Sequence, residues 1–204
     1  MHFIITGADH IPNISARRER YVEYMLALHR VFSYGIPVMG VLSEYAPSEN
    51  TPPFSQFPFK VLKTIQRGAL DGLGKSQKEF ASISELLKNV IDVSDDEFII
   101  KASGRYVLVN DSFVNLVKEH ETNPRVNAII RLNTDKTQQY TFLYALRYKY
   151  FKQLHSQSMF PSGVNIERVT LDFLKNNGLF DTTLKVDSLG ILTNINNENC
   201  YNIY

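Results

Sequence analysis

Phe98, Ile99 and Ile100 form an apolar run without polar alternation, and Val107, Leu108 and Val109 resume it after a break. Such a run fits a strand covered on both faces, which requires a sheet with helices on either side. The preceding chain has the matching pattern. Phe3, Ile4 and Ile5 read as a first short strand that stops at Thr6, Gly7, Ala8 and Asp9, where small and polar residues mark a turn. Residues 17–32 place Tyr21, Tyr24, Met25, Leu28, Val31 and Phe32 at the spacing of an amphipathic helix, with Ser15 as its cap and Gly35 and Pro37 ending it. Residues 38–42 are a second strand leading into Ser43, Glu44 and Tyr45. Strand, helix, strand is half of a parallel sheet, so the expectation is one α/β domain with a mainly parallel central sheet flanked by helices.

Residues 46–59 carry Pro47, Pro52, Pro53 and Pro58 and read as a loop without regular structure. A short strand at 61–65 leads through Gly68, Gly72 and Gly74 to a helix over 76–91. Beyond the central run, the pattern predicts a helix at 112–120, strands at 126–132 and 140–146, and a helix carrying Arg147, Lys149 and Lys152. The aromatic residues around Tyr144 read as core, since aromatic side chains dominate ordinary interiors. A helix over 165–176, capped by Gly178, and an edge strand over 184–192 complete the prediction before the Asn-rich end, about 193–204.

With 204 residues, 44% of them hydrophobic, the chain can bury a core without disulfides or metal. Its 22 basic and 21 acidic residues leave a net charge of +1, so no global field favours nucleic acid or an anionic membrane. Any phosphate binding must be local. The single cysteine, Cys200, excludes an internal disulfide and a multi-cysteine zinc site, and suits a reducing compartment. No apolar run approaches the ~20 residues of a membrane span, and MHFIITGADH lacks the form of a signal peptide. The expected location is cytoplasmic.

Most catalytic constellations are missing. His2, His10, His29, His120 and His155 are scattered with no HExxH pair, no serine sits in a GxSxG elbow, and there is no dinucleotide fingerprint. Gly72 to Ser76 suggests a P-loop, but Ala69 stands where its first glycine is required. What remains there is a glycine-rich turn with Lys75 entering a helix, which either holds an anion or simply starts the helix. Asp95, Asp96 and Glu97 precede their strand, at the opposite edge from the ligand crevice of a parallel sheet. Thr6, Glu44, Ser103 to Tyr106 and Asn133 to Asp135 do lie at strand ends. The central stretch adds a charge problem, because Lys101 and Arg105 flank a glycine beside a buried run and need an anionic partner. That partner is either a protein carboxylate or a ligand phosphate.

The segment Ile99-Ile100-Lys101-Ala102-Ser103-Gly104-Arg105-Tyr106 resembles the K-[LIV]-[ST]-G-R-Y segment of glycosyltransferase-like proteins of bacteria and large viruses with a nucleotide-diphospho-sugar transferase (GT-A) fold. Other pieces fall in the same order: Thr6 closing the first strand, Arg18 and Tyr21 in the first helix, Glu44 ending the second strand, Gly74 and Glu79 heading the next helix, residues 144–151, and Ile166-Glu167. The match is sharp in about one eighth of the chain.

The resemblance implies a single-domain GT-A-like fold that transfers a sugar from a nucleotide-diphosphate-sugar donor to a glycan or other hydroxyl acceptor. The other reading is a non-catalytic nucleotide-sugar-binding protein on the same fold. The donor-binding residues it implies are Thr6, Gly7, Arg18, Glu44, Lys75, Glu79, Lys101, Ser103, Gly104, Arg105 and Tyr106. Enzymes of this fold hold the diphosphate through Mn²⁺ or Mg²⁺ on an Asp-x-Asp motif, whereas Ala102-Ser103-Gly104 supplies no carboxylate. Lys101 and Arg105 can neutralise a diphosphate instead, and Arg105 can equally pair with Glu44 or Glu79. Inversion at the sugar requires a base to accept the acceptor's proton. Glu167, opening a helix after Ser162-Gly163, is the first candidate and Asp135 the second; the plain alternative for Glu167 is a helix N-terminal acid favoured by the dipole.

Overall fold

The computed structural model describes residues 1–8, 14–45, 53–157, 159–193 and 202–203; for 14–19, 53, 193 and 202–203 it describes the backbone alone. In chain order the elements are β1 (His2–Ala8), α1 (Ile14–Phe32), β2 (Val38–Tyr45), a 3-10 turn (Pro53–Gln56), β3 (Val61–Gln66), α2 (Lys75–Leu87), β4 (Phe98–Ser103), β5 (Val107–Leu108), α3 (Ser112–Glu119), β6 (Ala128–Ile130), β7 (Leu143–Arg147), α4 (Tyr148–Ser156), α5 (Ile166–Asn176), a second 3-10 turn (Phe180–Thr182), β8 (Thr183–Lys185), β9 (Ile191–Thr193) and β10 (Asn202–Ile203). The central sheet has the order β3-β2-β1-β4-β7-β6-β8. β1 pairs in parallel with β2 and β4, β2 with β3, and β6 with β8, while β7 runs antiparallel to both of its neighbours. The mainly parallel α/β architecture expected from the strand–helix–strand pattern is therefore present.

Side-chain alternation along the central strands builds a core on each face. Phe3 and Ile5 of β1, with Phe98 and Ile100 of β4, pack with Tyr24, Leu28 and Val31 of α1. Ile4 and Ile99 face the other way and pack with Phe80, Ile83 and Leu86 of α2, Phe151 and Leu154 of α4, and Leu171 and Leu174 of α5. Burying each of these large apolar side chains contributes about 1.5–3 kcal/mol, so two filled faces hold the central strands in register. The same period of two sends Thr6 and Lys101 to the α2 face.

Several elements depart from expectation. Val107 and Leu108 do not continue β4; they leave the central sheet and pair with β9, which in turn pairs with β10 in a small antiparallel sheet. The predicted edge strand over 184–192 is two strands in two sheets, because the chain turns away after Lys185. Within the proline-rich segment, residues 53–56 form a 3-10 turn, and Phe54, Phe57 and Phe59 pack against the α1 side; its residues 46–52 lie outside the described part, as do Cys200 and residues 194–201. α1 starts at Ile14, so Ser15 falls inside its first turn.

Arg147 ends β7 and does not ride on a helix with Lys149 and Lys152. It is 3% exposed, and its guanidinium donates to the carbonyls of Asp96, His120, Glu121, Asn123 and Val126 while lying over the Phe98 ring. Asn165 caps α5 by accepting from the Arg168 amide, and Gly178 follows that helix at φ 66°, a left-handed position that favours glycine. No helix among the described residues is long and apolar enough to cross a membrane.

Candidate functional site

β1 lies between β2 and β4, so the chain leaves it to one side and later returns on the other. Such a reversal opens a crevice beyond the carboxyl ends of the strands. A cavity of about 570 Å³ occupies that place. Thr6 and Gly7 from β1, Glu44 from β2, and Lys75 and Glu79 from α2 line it, together with Lys101, Ser103, Arg105 and Tyr106 at the end of β4 and Glu167 from the start of α5.

Of the readings open for the central cations, Lys101 takes the protein-carboxylate one. It is 1% exposed, and its ammonium lies 2.5 Å from Glu79 Oε1 and donates to the Thr141 carbonyl at 2.7 Å. Thr6 Oγ1 donates to the same Glu79 oxygen at 3.0 Å. Burial raises the Glu79 pKa, but the Lys101 ammonium and the hydrogen bonds from Lys101 and Thr6 outweigh it and hold the carboxyl below its ordinary value. Behind this pair lie Tyr144 and His155. Burial pushes the Tyr144 phenol up, and the Glu79 carboxylate adds to the effect. Burial pushes the His155 imidazole down to about 3; it packs between Phe80 and Phe151.

Arg105 pairs with neither Glu44 nor Glu79. Its guanidinium lies 4.6 Å from the centre of the Tyr106 ring and donates to the Tyr106 hydroxyl, and Tyr106 in turn meets Phe142 edge-on. Glu44 is bound by Lys78 at 2.5 Å. Its φ of 55° coincides with a register shift between Leu42 and Tyr45, an irregularity that lets β2 present the carboxylate to α2. Glu167 is half-buried in the first turn of α5, where Thr141 Oγ1 donates to its Oε1 at 3.0 Å. One polar chain thus runs from Glu167 through Thr141 and Lys101 to Glu79 and Thr6.

Gly104 is buried beside the cavity without lining it. Its amide donates to the Thr6 carbonyl at 2.8 Å, and a Cβ there would meet Ile5 Cγ2 at 2.9 Å and Tyr24 Cε1 at 3.0 Å. Only glycine lets β4 end so close to β1 and α1. The Arg18 side chain lies outside the described residues. Asp135 is not among the residues lining the cavity: it is exposed in the turn before Thr137, whose amide and hydroxyl both donate to its carboxylate.

The structure adds Arg20, Tyr24, Lys78, Thr141 and Phe142 to the lining. Lys78 was legible in principle, because Lys75, Lys78 and Glu79 share one face of α2 at spacings of three and four. Tyr24 was visible only as a core position of α1, yet its hydroxyl also accepts from the Ala8 amide at 2.9 Å. Thr141 and Phe142 have no local signal, since the antiparallel pairing of β7 with β4 brings them to the site.

A divalent metal finds a poor set of ligands here. Each of the three carboxylates that line the cavity among the described residues is engaged by Lys78, by Lys101 and Thr6, or by Thr141, and those residues contain no group of three or more His, Cys, Asp and Glu able to hold a metal ion.

No family model matches the chain, and no curated protein matches its sequence. Solved structures do match its fold. A cytidylyltransferase from Leptospira borgpetersenii aligns with a TM-score of 0.56 at 10% identity, over 93% of this chain and 76% of its own. The 4-diphosphocytidyl-2C-methyl-D-erythritol synthase of Anaerococcus prevotii gives 0.54 at 12% identity, over 91% and 86%. A Drosophila galactosyltransferase, in complex with manganese, UDP-galactose and xylobiose, gives 0.50 at 11% identity, over 92% and 66%. The chain has the GT-A-like α/β fold that these nucleotidyl- and glycosyltransferases share.

Proposed function

We propose that the protein is a glycosyltransferase that takes a nucleoside-diphosphate sugar as donor and a glycan or other hydroxyl compound as acceptor. The observation that carries this reading is the charge of the cavity at the carboxyl ends of β1, β2 and β4. Among the described residues, five cations line it (Arg20, Lys75, Lys78, Lys101 and Arg105) against three carboxylates (Glu44, Glu79 and Glu167). That leaves the lining positive even after Glu23, which lies outside it, offsets Arg20, in a chain whose net charge is only +1. A nucleoside-diphosphate sugar carries about two negative charges, which a positive lining favours. The volume falls within the roughly 300–1,000 Å³ of small-molecule sites.

In this reading the acceptor oxygen attacks the anomeric carbon as the bond from that carbon to the diphosphate breaks. Glu167 takes the acceptor's proton, its carboxylate held by Thr141. Arg105 faces the charge that develops on the leaving diphosphate. Nucleotidyl transfer is the competing chemistry, as cytidylyltransferases share the fold.

A thermal-shift panel of UDP-, GDP-, ADP- and dTDP-sugars beside UTP, GTP, ATP and dTTP tests the proposal. A ligand that binds the native state alone raises the melting temperature. The expected result is a shift with one sugar nucleotide larger than with its matching triphosphate. A larger shift with a triphosphate moves the assignment to nucleotidyl transfer, and no shift with any ligand at saturating concentration removes it.

A further inference from the structure

Resting on that donor reading, we infer that the cavity holds the diphosphate on side-chain cations, Arg105 from the end of β4 and Lys75 from α2, without a bridging divalent metal. A bridging Mg²⁺ or Mn²⁺ needs oxygen ligands with charge to spare, normally carboxylates. The five residues from Lys101 to Arg105, where the chain leaves β4, contain two cations and no carboxylate. Elsewhere in the lining, among the described residues, Glu79 and Glu44 are already neutralised by lysines, each 2.5 Å away, and Glu167 accepts from Thr141. A dication set among these groups would face the Lys101 ammonium and the Arg105 guanidinium as like charges.

The cations divide by their partners. Lys101 is committed to Glu79 and the Thr141 carbonyl, Lys78 to Glu44, and Arg20 to Glu23 at 3.1 Å. Arg105 and Lys75 line the cavity with no salt bridge to a carboxylate among the described residues, although Lys75 lies near enough to help hold the Glu79 carboxyl low. Arg105 is half-buried and its plane is steadied by the Tyr106 ring, which suits it to a two-point contact with phosphate oxygens. Lys75 is exposed at the start of α2 and supplies a mobile charge.

Calorimetric titration of UDP and of GDP into the full chain, once in EDTA and once in Mn²⁺, tests the inference. The expected result is that at least one diphosphate binds, with dissociation constants in the two buffers that agree within about threefold. Arg105→Met and Lys75→Met should each weaken that binding, Arg105→Met by about tenfold or more, as the loss of a charged hydrogen bond implies, with melting temperatures unchanged. Binding that falls by about tenfold or more in EDTA overturns metal independence while leaving the donor proposal standing. Unchanged affinity in both variants overturns the assignment of Arg105 and Lys75. No binding of either diphosphate in either buffer overturns the inference, whereas the thermal-shift panel decides the donor site itself.

Discussion

Lys101 and Glu79 meet at 2.5 Å beneath the cavity, the lysine 1% exposed on the central strand β4 and the glutamate on the helix α2 that covers it. This pair satisfies a charge that would otherwise be stranded inside the sheet. It also ties the floor of the site to the helix that forms its wall. Removing one member of a buried pair leaves the other uncompensated, at a cost of about 3–5 kcal/mol. Glu79→Gln should therefore lower the unfolding free energy by about 3 kcal/mol in urea titration, and Lys101→Met combined with Glu79→Leu should recover most of that loss. Equal destabilisation by the single and the double variant would show that the pair does not act as a unit.

His155 makes the protein sensitive to mild acid. Its folded-state pKa of about 3 lies below its ordinary value of 6.5. Between these values the unfolded chain binds a proton that the native state refuses, so stability falls as pH falls from 6.5 toward 3. The slope is about 1.4 kcal/mol per pH unit for one such group. His2, also lowered by burial, contributes with the same sign. Glu79, held low, adds its own loss only below its ordinary 4.5. His155→Phe, between Phe80 and Phe151, should flatten but not abolish the dependence between pH 6.5 and 4.5, as read from urea midpoints at several pH values.

Gly104→Ala should destabilise by about 1–3 kcal/mol through overpacking, because the new methyl group would sit 2.9 Å from Ile5 and 3.1 Å from the Thr6 carbonyl. Nucleotide affinity should fall with it, since the strand ends of β1 and β4 must part. Chemical denaturation and calorimetric titration on the same variant read the two effects.

Glu167→Gln keeps an oxygen that can accept from Thr141 but loses the basic carboxylate. Once a donor is identified, this change should lower kcat by about 10²–10⁴-fold with donor affinity unaltered. Thr141→Val should produce a smaller loss that Thr141→Ser restores. Unchanged turnover in Glu167→Gln would assign Glu167 to the structure of the α5 start.

Much of the architecture was legible along the chain because its signals are local. The apolar runs at Phe3, Val38 and Phe98, and the helical spacing from Tyr21 to Phe32, depend only on alternation and period, and they predicted strands and helices that are present. The strand ends then placed Thr6, Glu44 and residues 103–106 near one another, since parallel strands bring their carboxyl ends to one edge. The sequence also posed the charge problem at Lys101 and Arg105 without deciding it. Which carboxylate meets which cation depends on the face of β4 that α2 covers, a long-range relation with no local trace. Tertiary structure gave Glu79 to Lys101 and Lys78 to Glu44, and left Arg105 beside Tyr106 at the cavity. It likewise moved Val107 and Leu108 into a second sheet and buried Arg147 among five carbonyls, because pairing partners and burial are set by chain segments far apart in sequence.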